Sequence, residues 1–326
     1  MPVVSSQTHK SDSSPSTVLQ FPRYSLGTLT IDAPQIDGHA VIVHLFEKKP
    51  FNQAAGKVTV AGDGKILLRV NYATAEKPDQ LLNCPDHIYA LDLSKLPIED
   101  AGLKNIEHLH NLYFLNLENT DISDAAFSSI VKLKNLHELC LASTLITPAG
   151  VARLKELPAL QELNISSNNL NDSCISALSN LRNLKNLSIK RTNISNTALA
   201  YLKKLQELAH LDVAFNSGIN ADAVSDLKLL KNLRTLRIAD TGVKPDDAAA
   251  FRQVRSLHEI EIGWTNTSQA TIANWRHNLP NINVKVYGNR TFRVPAELFN
   301  PKSYATPAVS KPIVTTPIVP KPIAPK

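Results

Sequence analysis

Apolar residues return with a fixed beat from residue 88 onward. "IYALDLSKLPI" begins at Ile88, "LYFLNLENTDI" at Leu112, "LHELCLASTLI" at Leu136 and "LQELNISSNNL" at Leu160. "LKNLSIKRTNI", "LAHLDVAFNSGI", "LRTLRIADTGV" and "LHEIEIGWTNT" follow from Leu184, Leu208, Leu233 and Leu257. The step is 24 residues throughout, except for one step of 25 where Gly218 is inserted. Self-similarity at such a period is the mark of a stacked-repeat architecture. In each copy, L-x-x-L-x-L alternates with period two and predicts a short strand that buries its leucines. The ninth position is mostly Thr or Asn (Thr120, Thr144, Asn168, Thr192, Asn216, Thr241, Thr265), where the chain turns. A short polar side chain there can bond the backbone of its own and neighbouring turns, as a ladder along the stack.

The second half of each copy predicts a helix. Ser123, Thr147, Asn171 and Ser195 stand at natural N-caps, and Pro148 sits at a first helical position. Apolar residues then recur at helical spacing, as in Phe127, Ile130 and Leu133 or Leu199, Leu202 and Leu205. That face turns onto the strand leucines and leaves residues such as Lys132, Lys134 and Arg153 outside.

On these motifs the chain resembles the leucine-rich repeat family. More narrowly it resembles the bacterial 24-residue type, with Thr at the turn; "LYFLNLENTDISDAAFSSIVKLKN" carries the likeness almost column for column. The resemblance covers residues 88–287. It implies an α/β leucine-rich repeat solenoid, curved, with parallel strands on the concave face and helices on the convex face. It also implies a binding scaffold rather than an enzyme.

The flanks read differently. Residues 1–20 are rich in Ser and Thr and are expected to be disordered. Residues 21–87 predict a small β-rich cap closing the open first rung. In it "VIVHLF" is a strand candidate, and "KVTVAGDGKILLRV" a hairpin about Gly-Asp-Gly. Residues 288–326 are rich in Pro and Lys, with eight prolines from 295 on, and are expected to form a disordered tail or spacer.

Charge adds less than the basic total suggests. Of the net +6, residues 288–326 supply six Lys/Arg against one Glu, so the repeat body is near neutral. This argues against a nucleic-acid groove. Three cysteines (Cys84, Cys140, Cys174) without a CxxC fit a reducing compartment. No signal peptide or membrane-spanning run is read, so the expected location is cytoplasmic, with an envelope association as the alternative.

Candidate chemistry is thin. Cys140 lies beside Glu138 and His137 but falls at the fifth repeat position, an expected exposed strand site without a base and orienter. "HLH" at 108–110 lacks a third ligand nearby in sequence. No catalytic residue, metal or cofactor is assigned. The concave face should carry Phe114, Asn116, Glu118, Glu138, Glu162, Lys190, Arg191, His210, Asp212, Phe215, Arg237, Asp240, Glu259, Glu261 and Trp264. Among these, Glu118, Glu138 and Glu162 predict an acidic patch, and Phe114, Phe215 and Trp264 exposed aromatic anchors. The expected function is non-catalytic recognition of a protein or peptide partner by a monomer. The alternative is a regulatory or effector subunit of a kinase or ubiquitin-transfer complex.

Overall fold

The computed structural model describes residues 16–32, 52–61, 65–263 and 267–286. From Ala90 the chain lays down one three-residue strand per repeat. These are β6 (Ala90–Asp92), β7 (Phe114–Asn116), β8 (Glu138–Cys140), β9 (Glu162–Asn164), β10 (Asn186–Ser188), β11 (His210–Asp212), β12 (Thr235–Arg237), β13 (Glu259–Glu261) and β14 (Asn283–Lys285). Each pairs in parallel with the next, and equal repeat positions face each other, as in Leu115↔Leu139 and Leu139↔Leu163. The 24-residue period therefore becomes a register: a given repeat position forms a column running along the sheet.

The strands are short because the chain turns at the eighth position. Lys95, Asn119, Ser143, Ser167, Arg191, Phe215 and Asp240 all have φ between 52° and 60°. A left-handed non-glycine residue costs roughly 1–2 kcal/mol. Bonds to the following rung offset it: the Asn119 N–H donates to the Ala142 carbonyl at 2.9 Å and the Phe215 N–H to the Ala239 carbonyl at 2.8 Å.

The ninth position then closes the turn in two ways. Threonine bonds within its own rung; Thr120 and Thr192 hydroxyls donate to the Leu117 and Ile189 carbonyls at 2.7 and 2.6 Å. Asparagine reaches across. Asn216 Nδ2 donates to the Val213 and Ile189 carbonyls, both at 2.9 Å, while its Oδ1 accepts the N–H groups of Thr192 at 3.0 Å and Ile194 at 3.3 Å. Asn168 does the same for the rung of Thr144.

The convex side carries the predicted N-caps. Side chains of Ser123, Thr147, Asn171 and Ser195 each accept an N–H two residues on. The segments they start are less regular than expected. Several are 3-10 turns or single α-turns, such as Asp124–Ala126, Phe127–Ile130 and Pro148–Val151. A 24-residue repeat leaves little chain for a long helix after the strand and both turns.

A second column ties these caps together. The carboxylate of Asp100 accepts the N–H and hydroxyl of Ser123, the next rung's cap, at 2.7 and 2.6 Å. Asp124 holds Thr147 and Asp172 holds Ser195 in the same way. Asn196 replaces the carboxylate beneath Asn220. Pro148 and Ala221 occupy this column in the two remaining rungs of that run and offer neither group.

The leucine columns and the convex apolar residues merge into one continuous core. At the first end the sheet does not stop at β6. Strand β5 (Lys65–Val70) runs parallel to β6 and antiparallel to β2 (Gly27–Asp32), which also pairs with β3 (Asn52–Gln53). A side chain at Gly27 would place its Cβ 1.9 Å from the Arg69 carbonyl oxygen, so this close approach demands glycine. Strand β4 (Lys57–Ala61) pairs instead with β1 (Ser16–Gln20) in a separate two-stranded sheet.

Two expectations are corrected here. Residues 57–70 are not a hairpin, because β4 and β5 enter different sheets. Ser16–Gln20, expected within a disordered segment, is an ordered strand that buries Leu19 against the cap core. The "VIVHLF" strand candidate and the Pro/Lys-rich 288–326 lie outside the described residues. At the far end Gln269–Asn278 is the longest regular α-helix among the described residues, and it buries Trp275 against Phe251 at a ring separation of 5.4 Å.

Candidate functional site

The concave sheet is more closely packed than alternation predicts. The fifth position is a buried polar row, not an exposed one: Asn116, Asp212 and Glu261 are at most 4% exposed, and Cys140 is 1% exposed. The physical reason is stacking at strand spacing, about 4.8 Å, on a surface whose neighbours bond one another. Asp92 accepts from Asn116 Nδ2 at 3.2 Å, from the Ser94 hydroxyl at 2.7 Å and from Arg69 Nε at 3.0 Å. At the other end Arg237 lies between Asp212 at 3.5 Å and Glu261 at 3.1 Å. Phe114 is also corrected: it is buried beside the small Ala90, not presented as an anchor.

This burial acts on the acids. Desolvation pushes the carboxyl of Glu261 up to about 7 against the pull of Arg237. It does the same to Glu118, also to about 7, with Lys95 opposing and Asp92 adding to it. Asp212 is raised as well, burial outweighing Arg237. The cysteines become poor nucleophiles: burial raises the thiols of Cys84 and Cys140, and pushes Cys174 up to about 11.

The predicted acidic patch resolves into a pair and a neighbour. Glu138 and Glu162 occupy the third position of adjacent strands and face each other in register. Burial raises both carboxyls; the charge of Glu162 raises Glu138 further, and Lys65 opposes it. Glu118 lies in the seventh column and is half-buried. Its N–H donates to Asn116 Oδ1 at 3.0 Å.

The second column holds a feature that pattern reading missed. Tyr89, Tyr113 and His137 stack ring on ring, with centroids 4.7 and 4.3 Å apart and planes within 12°. Lys65 Nζ lies over the Tyr89 ring, 4.6 Å from its centre. Two tyrosines 24 residues apart in one column were the available signal.

Further along, Phe215 is half-buried beneath two cations, with Lys190 Nζ and the Arg191 guanidinium each 4.9 Å from its ring centre. His210 is half-buried between Asn186 and Thr235 on the flanking strands. Glu259 pairs with Lys285 Nζ at 2.5 Å, and Asp240 is exposed. Trp264 lies outside the described residues.

Among the described residues, no group of three or more His, Cys, Asp or Glu is arranged to hold a metal ion. His108 Nε2 is instead engaged with the Cys84 carbonyl at 2.8 Å. No helix among the described residues is long and apolar enough to cross a membrane.

Residues 87–239 match the family model described as a leucine-rich repeat region. No curated protein matches the chain in sequence. Among solved structures, internalin C2 from Listeria monocytogenes is 23% identical with a TM-score of 0.48, covering 69% of this chain and 91% of its own. Internalin InlF from the same organism is 20% identical with a TM-score of 0.45, covering 64% and 63%. The plant peptide hormone receptor RGFR1, in complex with RGF2, is 20% identical with a TM-score of 0.36, covering 55% and 28%.

Proposed function

We propose, from the leucine-rich repeat region matched over residues 87–239, that the chain is a non-catalytic binding protein whose concave face recognises a protein or peptide. The observation that carries this reading is the sheet itself. Nine parallel strands, β6 to β14, hold fixed columns of aromatic, acidic and basic side chains in one register. At about 4.8 Å per strand they span roughly 38 Å, a length suited to a folded partner or an extended peptide. Its polar side chains are held by their neighbours before any partner arrives, which lowers the ordering cost of binding.

Catalysis is disfavoured by the state of the nucleophiles. All three thiols are buried and free, and burial shifts each away from thiolate. Three unpaired thiols favour a reducing compartment, and we place the protein in the cytoplasm as a monomer. The near-neutral repeat body favours a protein over a nucleic acid as partner.

The test is an affinity capture from lysate of the source organism with the full chain as bait. A parallel bait carries Glu162→Lys, Phe215→Ala and Trp264→Ala, and circular dichroism checks that both baits fold alike. A protein held by the first and lost by the second supports the concave face. A specific protein held equally by both overturns it.

A further inference from the structure

One strip of the concave face has more acceptors than donors. It runs along the third column through Glu138 on β8, Glu162 on β9 and Asn186 on β10, which are register partners in turn. Glu138 and Asn186 are 8% and 7% exposed, whereas Glu162 is half-buried and is the open member. Asn186 gives its amide hydrogens to Glu162. Its Oδ1 is then left buried without a hydrogen-bond partner. An unsatisfied buried acceptor costs about 1–3 kcal/mol, so an orphan beside two carboxylates marks a place that a donor would stabilise.

Two cations lie near the strip and favour its ionised form, Lys65 toward Glu138 and Lys185 toward Glu162, but each is also engaged elsewhere. Facing the strip are Tyr89 and Tyr113 from the second column, Lys65 from β5, Lys185 beside β10, and His210 on β11. Lys65 is seated over the tyrosine rings, 4.6 and 5.9 Å from their centres. Lys185 Nζ donates to Gln161 Oε1 at 3.0 Å. Both cations therefore have other partners, and two carboxylates stand in register at strand spacing.

We propose, resting on the concave-face reading above, that Glu138, Glu162 and Asn186 form a recognition site for a lysine or arginine side chain presented by a partner protein. A basic side chain brings what the strip lacks, several N–H donors and a positive charge on one flexible stem. Entry is from the side of Glu162. The adjacent Tyr113, its faces covered by Tyr89 and His137, borders the strip with its phenol edge.

The arrangement also makes binding respond to acidity. Like-charged carboxylates in register and out of water share protons, so the free strip carries less negative charge than two glutamates in solution. A bound cation favours the ionised pair and drives the retained proton off. Binding therefore strengthens as pH rises and releases a proton to buffer.

The test uses the full chain and a fluorescein-labelled octalysine amide, followed by anisotropy at pH 8.0 and pH 5.5 at equal ionic strength. The expected result is saturable binding at pH 8.0, weakened at least tenfold at pH 5.5. Glu162→Gln should weaken it at least tenfold at pH 8.0 and flatten the pH response, while Asp246→Asn, exposed on the convex side, changes neither. Circular dichroism confirms that each variant folds; Glu162→Asp, which keeps the charge, should retain most of the binding. Octalysine bound equally by Glu162→Gln overturns the site. If that binding is lost in Glu259→Gln, cation recognition lies elsewhere on the concave face and the broader reading stands. Binding that appears only after Lys302, Lys311, Lys321 and Lys326 are changed to alanine also overturns the proposal as stated, because the chain's own basic segment is then the occupant. No binding by the folded wild type at pH 8.0 overturns it outright, and leaves the lysate capture to judge the concave face.

Discussion

Replacing Asn216 by leucine, which is close in size, isolates what an asparagine turn residue does for the stack. Asn216 is 2% exposed. Its Oδ1 serves the N–H groups of Thr192 and Ile194 in the preceding rung, and its Nδ2 serves the carbonyls of Ile189, Val213 and Ala214. Leucine removes all of these at once and leaves two buried N–H donors without partners. At about 2 kcal/mol for each orphaned donor, the loss comes to about 4 kcal/mol, before any strain from placing an apolar group among carbonyls. Asn216→Thr is the informative control. Its hydroxyl can still bond the Val213 carbonyl, as Thr192 bonds Ile189, but it cannot reach the preceding rung. It still orphans both N–H donors, so its cost should fall below that of leucine only by the worth of the retained own-rung bond, about 1 kcal/mol. The assay is urea unfolding followed by far-ultraviolet circular dichroism, with midpoint and slope fitted separately, since an unchanged slope is needed to read midpoints as stability. Asn216→Leu within 1 kcal/mol of wild type would falsify the cross-rung account. A threonine variant as stable as wild type would refute it too, because that side chain cannot reach the preceding rung.

Other outcomes follow from the same structure. Gly150→Ala should lower stability by about 1–3 kcal/mol in the same assay, since its Cβ would fall 2.7 Å from Phe127 Cε2 and closer still to Asp124 Oδ1; an unchanged midpoint would show that Asp124 moves aside freely. The protein should melt at a higher temperature at pH 5.5 than at pH 8.5. Glu261 titrates near 4.5 when unfolded and near 7 when folded, so the folded state holds the extra proton between those values. That stabilisation, about 3 kcal/mol for this one group, is complete below pH 4.5 and is lost as pH rises through 7. Melting followed by circular dichroism that gives the opposite order would contradict the buried-acid reading. Finally, Cys84, Cys140 and Cys174 should react with Ellman's reagent far more slowly in native protein than in 6 M guanidinium, tracked at 412 nm; a rapid native equivalent would mean that one thiol is open.

The architecture was legible because the repeat writes its register into the sequence. Leu115, Leu139 and Leu163 recur at 24 residues and become neighbours at one strand spacing. N-caps such as Ser123 and Ser195 were legible from local chemistry alone. Exposure on the concave face was not. Alternation places Asn116 and Glu261 outward correctly, but side chains on the adjacent strands cover them, and that effect is not local in sequence. Phe114 shows the same limit, for its burial is set beside Ala90 on the adjacent strand, not by its own repeat. The left-handed eighth position gave no consistent compositional sign either, since Lys95, Arg191 and Phe215 are not the residues that usually mark such a turn. The Tyr89–Tyr113–His137 stack could have been found by reading the second column downward.

The cap-to-cap braces have a mechanical consequence. Asp100 and Asp124 fasten the first three rungs to one another, and Asp172 and Asn196 fasten the next three. Pro148 and Ala221 leave the joints to Asn171 and Lys244 without that fastening. The convex side is thus riveted in groups, with two seams between them. Pulled apart from its ends, the solenoid will yield first at those seams and lengthen in steps of about three repeats, not one.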